Sequence, residues 1–171
     1  MMGQFTYSER IGVALELTAG QLGTSLGLAS LVGVPGALAV TFLGSRYGRF
    51  VPIAAVALLQ AASALWLIVA TGFLDYLVIV CVFGAGWAIV LPYFQGICAR
   101  LDPSGGVVVA GGFVTSLAGF AGPATAALLV MPGDYRRLLL VVAMGLILVV
   151  VLTYLATHRR VNGQNNPVVG R

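Results

Sequence analysis

With 8% of its 171 residues charged, this chain has few groups able to do chemistry. Trp87, Leu91, Tyr93 and Gln95, the candidates for lining a substrate cavity, lie in one apolar run. At helical spacing, Gly84, Trp87, Leu91 and Gln95 share a face, while Tyr93 points elsewhere. An aromatic plate with an amide two turns away suits a cavity for a small solute, offering an apolar surface and a directional hydrogen bond. Trp favours the membrane interface, yet Trp87 falls near the middle of its run. Pro92 interrupts the same run, and interrupted helices often border binding sites. The same residues also admit a packing reading, with Trp87 filling the space beside Gly84 and Gly86 and Gln95 bonded to a neighbouring helix. Gln60, Thr115 and Ser116 offer less, because a single hydroxyl in a span mostly bonds its own helix.

A second group is the turn Leu43-Gly44-Ser45-Arg46-Tyr47-Gly48-Arg49-Phe50, bracketed by glycine and set between two apolar runs. Gly44 and Gly48 let the backbone reverse without a Cβ penalty, and Arg46 and Arg49 fall where two helices would leave a bilayer. Nothing points to catalysis. The single His is His158, and no nucleophile–base pair, metal-ligand cluster or phosphate-cradling loop is present. No catalytic residue, metal or cofactor is expected, and an enzyme is not. Cys81 and Cys98 sit in one apolar run and read as reduced packing residues.

These residues need long apolar elements to position them. The chain is 60% hydrophobic with a mean hydropathy of +1.03, whereas soluble domains carry roughly 25% charged residues to cover their surface. The reading is an all-α integral membrane protein with five transmembrane helices. About 20 apolar residues cross the hydrocarbon, and the runs at 19–43, 51–71, 74–99, 106–131 and 135–157 suffice. Residues 1–17 are too polar to span. They read as an extracytoplasmic loop with a short interfacial helix, and lack the pattern of a cleavable signal peptide. Thr18 with Gln21 fits a capping box. Pro35, Pro92 and Pro123 fall inside spans and Pro52 in a first turn. Residues 158–171 read as a polar, disordered cytoplasmic tail.

All nine basic residues are arginine, and net charge is +4. No basic stripe with interleaved aromatics is present, so nucleic acid is not expected. With five spans, Arg46, Arg49, Arg100, Arg159, Arg160 and Arg171 share one side, against Arg10, Arg136 and Arg137. Positive loops favour the cytoplasm, which places the Ser45 turn and the C-terminus there, in a multi-pass protein of the cell (inner) membrane. Helices in lipid associate through small residues. Gly111, Thr115, Gly119, Pro123 and Ala127 form one such strip; Ala29, Gly33, Ala37 and Thr41 form another; Gly23 and Gly27 make a GxxxG. The strips read as helix contacts or as flexible points for rocking. The last span is bulky nearly all round and reads as lipid-facing.

The turn from Thr41 to Arg49 resembles the signature G-x-L-A-D-R-x-G-R of the major facilitator superfamily of secondary transporters. Leu43, Arg46, Gly48 and Arg49 match; Thr41 stands for the glycine, Gly44 for the small residue and Ser45 for the acid. Loss of the acid resembles the degraded second copy, between that family's eighth and ninth helices. Residues 7–12 resemble the outer loop before an eighth helix, and Leu101-Asp102-Pro103-Ser104-Gly105 the loop after a tenth. Gly119-Phe120-Ala121-Gly122-Pro123 resembles the segment of an eleventh. The resemblance implies helices eight to twelve of a twelve-helix carrier, a partial six-helix bundle. It also implies a cytoplasmic turn steadying one end state, a central cavity bordered by the third span, and lipid against the second and fifth. The implied partners are the bilayer, an unspecified small solute and the missing N-terminal half, without which no transport is expected. With Ser45 in place of the acid, no charge relay is carried over. A free-standing five-span scaffold or partner subunit is the competing reading.

Overall fold

The computed structural model describes residues 2–44, 48, 50–102, 104–130 and 134–164, with side chains from Tyr7 on except at 43, 101 and 156–164. The described residues form six helices: α1 (Met2–Ala14), α2 (Ala19–Leu43), α3 (Phe50–Leu67), α4 (Phe73–Leu101), α5 (Gly106–Leu129) and α6 (Arg136–Gln164). α2 to α6 are each long and apolar enough to cross a membrane. The chain is an all-α, multi-pass membrane protein.

Each boundary has a local cause. α2 opens on a capping box: the Thr18 N–H donates to Gln21 Oε1 at 2.9 Å and the Gln21 N–H to Thr18 Oγ1 at 3.3 Å. It closes at Gly44, whose N–H donates to the Val40 carbonyl at 2.8 Å. Gly44 has φ 50° and ψ −132°, a conformation that a Cβ disfavours. α3 stops at Leu67 rather than running to 71, a correction to the span expected there. The N–H groups of Ile68 and Val69 fold back to the Leu65 and Trp66 carbonyls at 3.1 and 2.9 Å. Asp75 then takes the Thr71 N–H at 3.2 Å, so the chain turns into α4 early. α6 continues to Gln164, beyond the 157 expected, because each added residue of a running helix gains a backbone bond. The disordered tail expected from His158 is therefore helical over its first seven residues; 165–171 lie outside the described residues.

Between α4 and α5, Asp102 works as a clasp. Its Oδ1 accepts from the Ser104 N–H (2.8 Å) and hydroxyl (2.6 Å), and its Oδ2 from the Val107 N–H (3.2 Å). These bonds, the Ser104 hydroxyl foremost, hold the Asp102 carboxyl below the ordinary carboxylate range. A carboxyl depressed in the folded state adds stability above its unfolded pKa and loses it as pH falls through the folded value. Amide-exchange protection at Ser104 and Val107 is therefore expected to hold above about pH 3.8 and fall at lower pH. Asp102→Asn is expected to abolish that step.

The helices pair out of chain order. α2 packs along α4 and α3 along α6; α4 also touches α3 and α5, and α1 lies on α5. α2 and α4 run in parallel, because Gly33 meets Ala88 and, further along both helices, Gly44 meets Tyr93. The seam is tight. A Cβ on Gly84 would land on the Ala29 carbonyl, 3.0 Å from its carbon, and one on Gly36 would come 3.1 Å from the Ala85 carbonyl oxygen. α3 and α6 meet through Ala57, Ala61, Ala64, Ala143 and Leu146.

A second cluster, around Ile11, Leu22, Leu67, Tyr76, Ile79 and Leu139, ties α1 to the bundle. The segment expected to be a loop with a short interfacial helix is thus a docked helix. Tyr76, fully buried, donates its hydroxyl to the Ser8 carbonyl at 2.9 Å. A cavity of about 20 Å³ remains here, lined by Ser8, Ile11, Leu67 and Tyr76 among others, and wholly apolar in its exposed lining.

Candidate functional site

α4 is the hub, and the residues singled out on it divide by face. Gly84 and Ala88 turn to α2, Gly86 to α3, and Phe94 and Cys98 to Gly111 of α5. Trp87, Leu91 and Gln95 lie between the α2 and α5 directions by helical rotation. Trp87 and Leu91 are half-buried and Gln95 is exposed. On α2, the exposed residues Gly23, Gly27, Ser30, Val34, Ala37 and Thr41 lie to one side of the seam residues Ala29, Gly33 and Gly36, roughly a quarter turn or more away. For two parallel right-handed helices, these quarter turns open on the same side. The result is a wall of mostly small residues on α2, interrupted by Val34, beside Trp87, Leu91 and Gln95 on α4, with α5 at its edge. α5 is the least covered span: Phe113 is 69% exposed and Phe120 80%.

The small residues fall into two sets. Gly33 packs 3.7 Å from the Ala88 Cβ, and Gly111 lies 3.5 Å from Cys98 Sγ, both measured from an added Cβ. Gly122 and Pro123 are half-buried. The contacts expected at Gly23, Gly27 and Gly119 are not made among the described residues, since a Cβ there would meet nothing within 4 Å. The GxxxG on α2 faces the open side, not a neighbour among the described residues.

Tyr93 is set apart. It is 6% exposed and donates its hydroxyl to the Gly44 carbonyl at 3.0 Å, at the mouth of the α2–α3 connection. Of the signature turn, Gly48 is exposed with φ 68°, and Leu43 is the last residue of α2. Ser45, Arg46, Tyr47 and Arg49 lie outside the described residues.

Sequence reasoning undervalued Gln60. It is fully buried between α3 and α4, its Nε2 donating to the Phe83 carbonyl at 3.3 Å and resting where Gly86 leaves room. Its Oε1 is buried with no hydrogen-bond partner among the described residues. The legible signal was a lone amide in an apolar run with a glycine able to receive it on another. A single long bond offset by an unpaired acceptor contributes little net stability. Gln60→Leu is therefore expected to leave stability within about 1.5 kcal/mol of the parent, or to raise it, in a detergent-unfolding titration. A larger loss would mean that the amide bond outweighs the unpaired oxygen.

Compared with protein-family models, curated proteins and solved structures, the chain matches none.

Proposed function

We propose that this chain is the helix-eight-to-twelve portion of a major-facilitator-type secondary transporter, carrying a small solute by alternating access. The observation that supports this reading best is the one-sided bundle. α3 and α6 pair at the back, while α2 and α4 offer an open wall of mostly small residues carrying Trp87, Leu91 and Gln95. A carrier of this kind has its site between two halves related by a pseudo-two-fold axis, near the bilayer midplane. An open wall with a central aromatic suits one side of such a site. The partner is then the other half of the carrier, and the turn through Gly44 and Gly48 lies in the cytoplasm together with the C-terminus.

Two measurements test this. In sealed inner-membrane vesicles of known orientation, a cysteine at Gly48 is expected to label only from the cytoplasmic face, and one at Glu16 only from the other. Proteoliposomes holding this chain alone are expected to show no solute flux, while co-reconstitution with the complementary seven helices restores it. Labelling of position 48 from the outside, or substrate-specific flux by the chain alone, would overturn the proposal. In the competing reading, a scaffold or partner subunit, a second copy covers the open wall. Cross-linking between cysteines at Gly27 of two copies, in native membranes, would favour it.

A further inference from the structure

We propose that Gln60, seated in the notch left by Gly86, is the key that fixes the register of α3 against α4. The two helices run antiparallel: Val56 and Gln60 lie beside Gly86, and Leu67 lines one cavity with Tyr76. A Cβ on Gly86 would land on the Gln60 amide, 2.8 Å from its Cδ and 3.0 Å from Val56 Cγ1. At helical spacing Ile79, Phe83, Gly86 and Val90 form one stripe of α4, and Gly86 is the only glycine among them. In the observed register Nε2 donates to the Phe83 carbonyl at 3.3 Å. A slip of one turn would set the amide against the Phe83 or Val90 side chain and take that carbonyl away.

Little else on α3 specifies the position. Ala57, Ala61 and Ala64, packed with Ala143 and Leu146 of α6, make a low, even strip. Ser63, the other buried polar residue of α3, donates to the Leu59 carbonyl of its own helix at 2.9 Å. On the outer side of Gln60 the α3–α4 contact encloses the cavity of about 20 Å³ lined by Leu67, Ile79 and Phe83, so shape grips loosely there. The connection 68–72 is no constraint, since five extended residues reach about 17 Å. Lipid gives helices no hydrophobic reason to prefer one register, whereas a buried amide stripped of its acceptor is costly. One polar residue in an apolar seam is a documented way to fix register. Gln60 therefore selects the arrangement without strengthening it, which accounts for a fully buried side chain that adds little net stability. Trp87 follows Gly86, so the same key sets the height of Trp87 against the α3–α6 pair. Use of that height by a solute rests on the transporter reading; the register does not.

The test measures distances in the full chain in nanodiscs, with Cys81→Ala and Cys98→Ala as background. Spin labels at the exposed residues Val51 and Leu74 report the slide of α3 along α4, and labels at Leu31 and Val78 report the α2–α4 seam. The parent is expected to give one narrow 51–74 distance. Gln60→Ala is expected to add a second population displaced by one turn, about 5 Å, with 31–78 unchanged. Exchanging the notch, Gly86→Val with Val90→Gly, moves the seat of the amide four residues along α4. It is expected to lengthen the 51–74 distance by about 6 Å as one population, and adding Gln60→Ala to the exchange is expected to abolish that preference. A single parent distance in Gln60→Ala, a parent distance in the exchanged chain, or a displaced distance that survives removal of Gln60 would overturn the key. So would loss of the folded chain in Gln60→Ala, since a key that only selects is dispensable for folding. These distances are read without solute, so the transporter reading stands or falls on its flux and labelling measurements alone.

Discussion

Gly84→Leu is expected to separate α2 from α4. At this position the two backbones touch: a Cβ on residue 84 would sit on the Ala29 carbonyl, 3.0 Å from its carbon and 3.4 Å from its Cα. Backbone atoms of a packed helix have no alternative rotamer to retreat into, so the helices themselves must part. Overfilling a packed interface costs about 1–3 kcal/mol for added methylenes. A forced separation also forfeits dispersion along the seam, which in lipid is the main force between helices. The expected loss is about 4 kcal/mol for Gly84→Leu and about 2 kcal/mol for Gly84→Ala, read from detergent unfolding of the reconstituted chain. Gly27→Leu is the control, with open space at its Cβ, and is expected to change stability by less than about 1 kcal/mol in the same assay. Equal losses at 84 and 27 would show that the α2–α4 seam does not hold the bundle together.

Tyr76→Ala is expected to release α1. Tyr76 is fully buried, packs with Ile11 and Leu22, and donates to the Ser8 carbonyl at 2.9 Å. Gly12 approaches the same ring, 3.1 Å from its Cζ as measured from an added Cβ. Truncating a buried aromatic to alanine typically costs about 3–5 kcal/mol, here falling on a short helix that otherwise packs on α5. Tyr76→Phe removes the hydroxyl alone, leaves the Ser8 carbonyl without that donor, and is expected to cost about 1–2 kcal/mol. Hydrogen exchange separates the two effects. Amides of residues 8–14 are expected to exchange fast in Tyr76→Ala and only modestly faster in Tyr76→Phe, with α3 and α6 unaffected. Full protection of α1 in Tyr76→Ala would place its anchor on α5 instead.

Membrane class was readable because length and apolarity alone decide whether a run can cross a bilayer, and five runs of this chain have both. The Thr18–Gln21 box was readable because both halves of the bond lie three residues apart. Partnerships were not. Gly33 and Gly27 look alike in the sequence, yet Gly33 meets Ala88 and Gly27 meets nothing within 4 Å, a difference set by which neighbour stands on that side. Tyr93 was counted among the cavity candidates although helical rotation turns it away from Trp87. Its hydroxyl nonetheless finds a carbonyl 49 residues away, a distance no local pattern encodes. The same holds for Tyr76 and Ser8. The polar segment before Thr18 was undervalued because its mean polarity hid Ile11, whose burial depends on residues of α2, α3 and α4. At the wall itself, Trp87 and Gln95 were legible as residue types out of place in an apolar run; the open side they share with α2 follows only from the parallel seam.

The crossed pairing also dictates a schedule for biogenesis. α4 ends 58 residues after α2, at Leu101 against Leu43, so a ribosome adding about 5–20 residues per second needs roughly 3–12 s to supply the partner of the first span. During that interval α2 and α3 wait at the translocon without the neighbours they are shaped for. α3 gains α4 at the same moment and waits longer for α6, the later of its two partners. Release into lipid before α4 arrives would leave Ala29, Gly33 and Gly36 facing acyl chains.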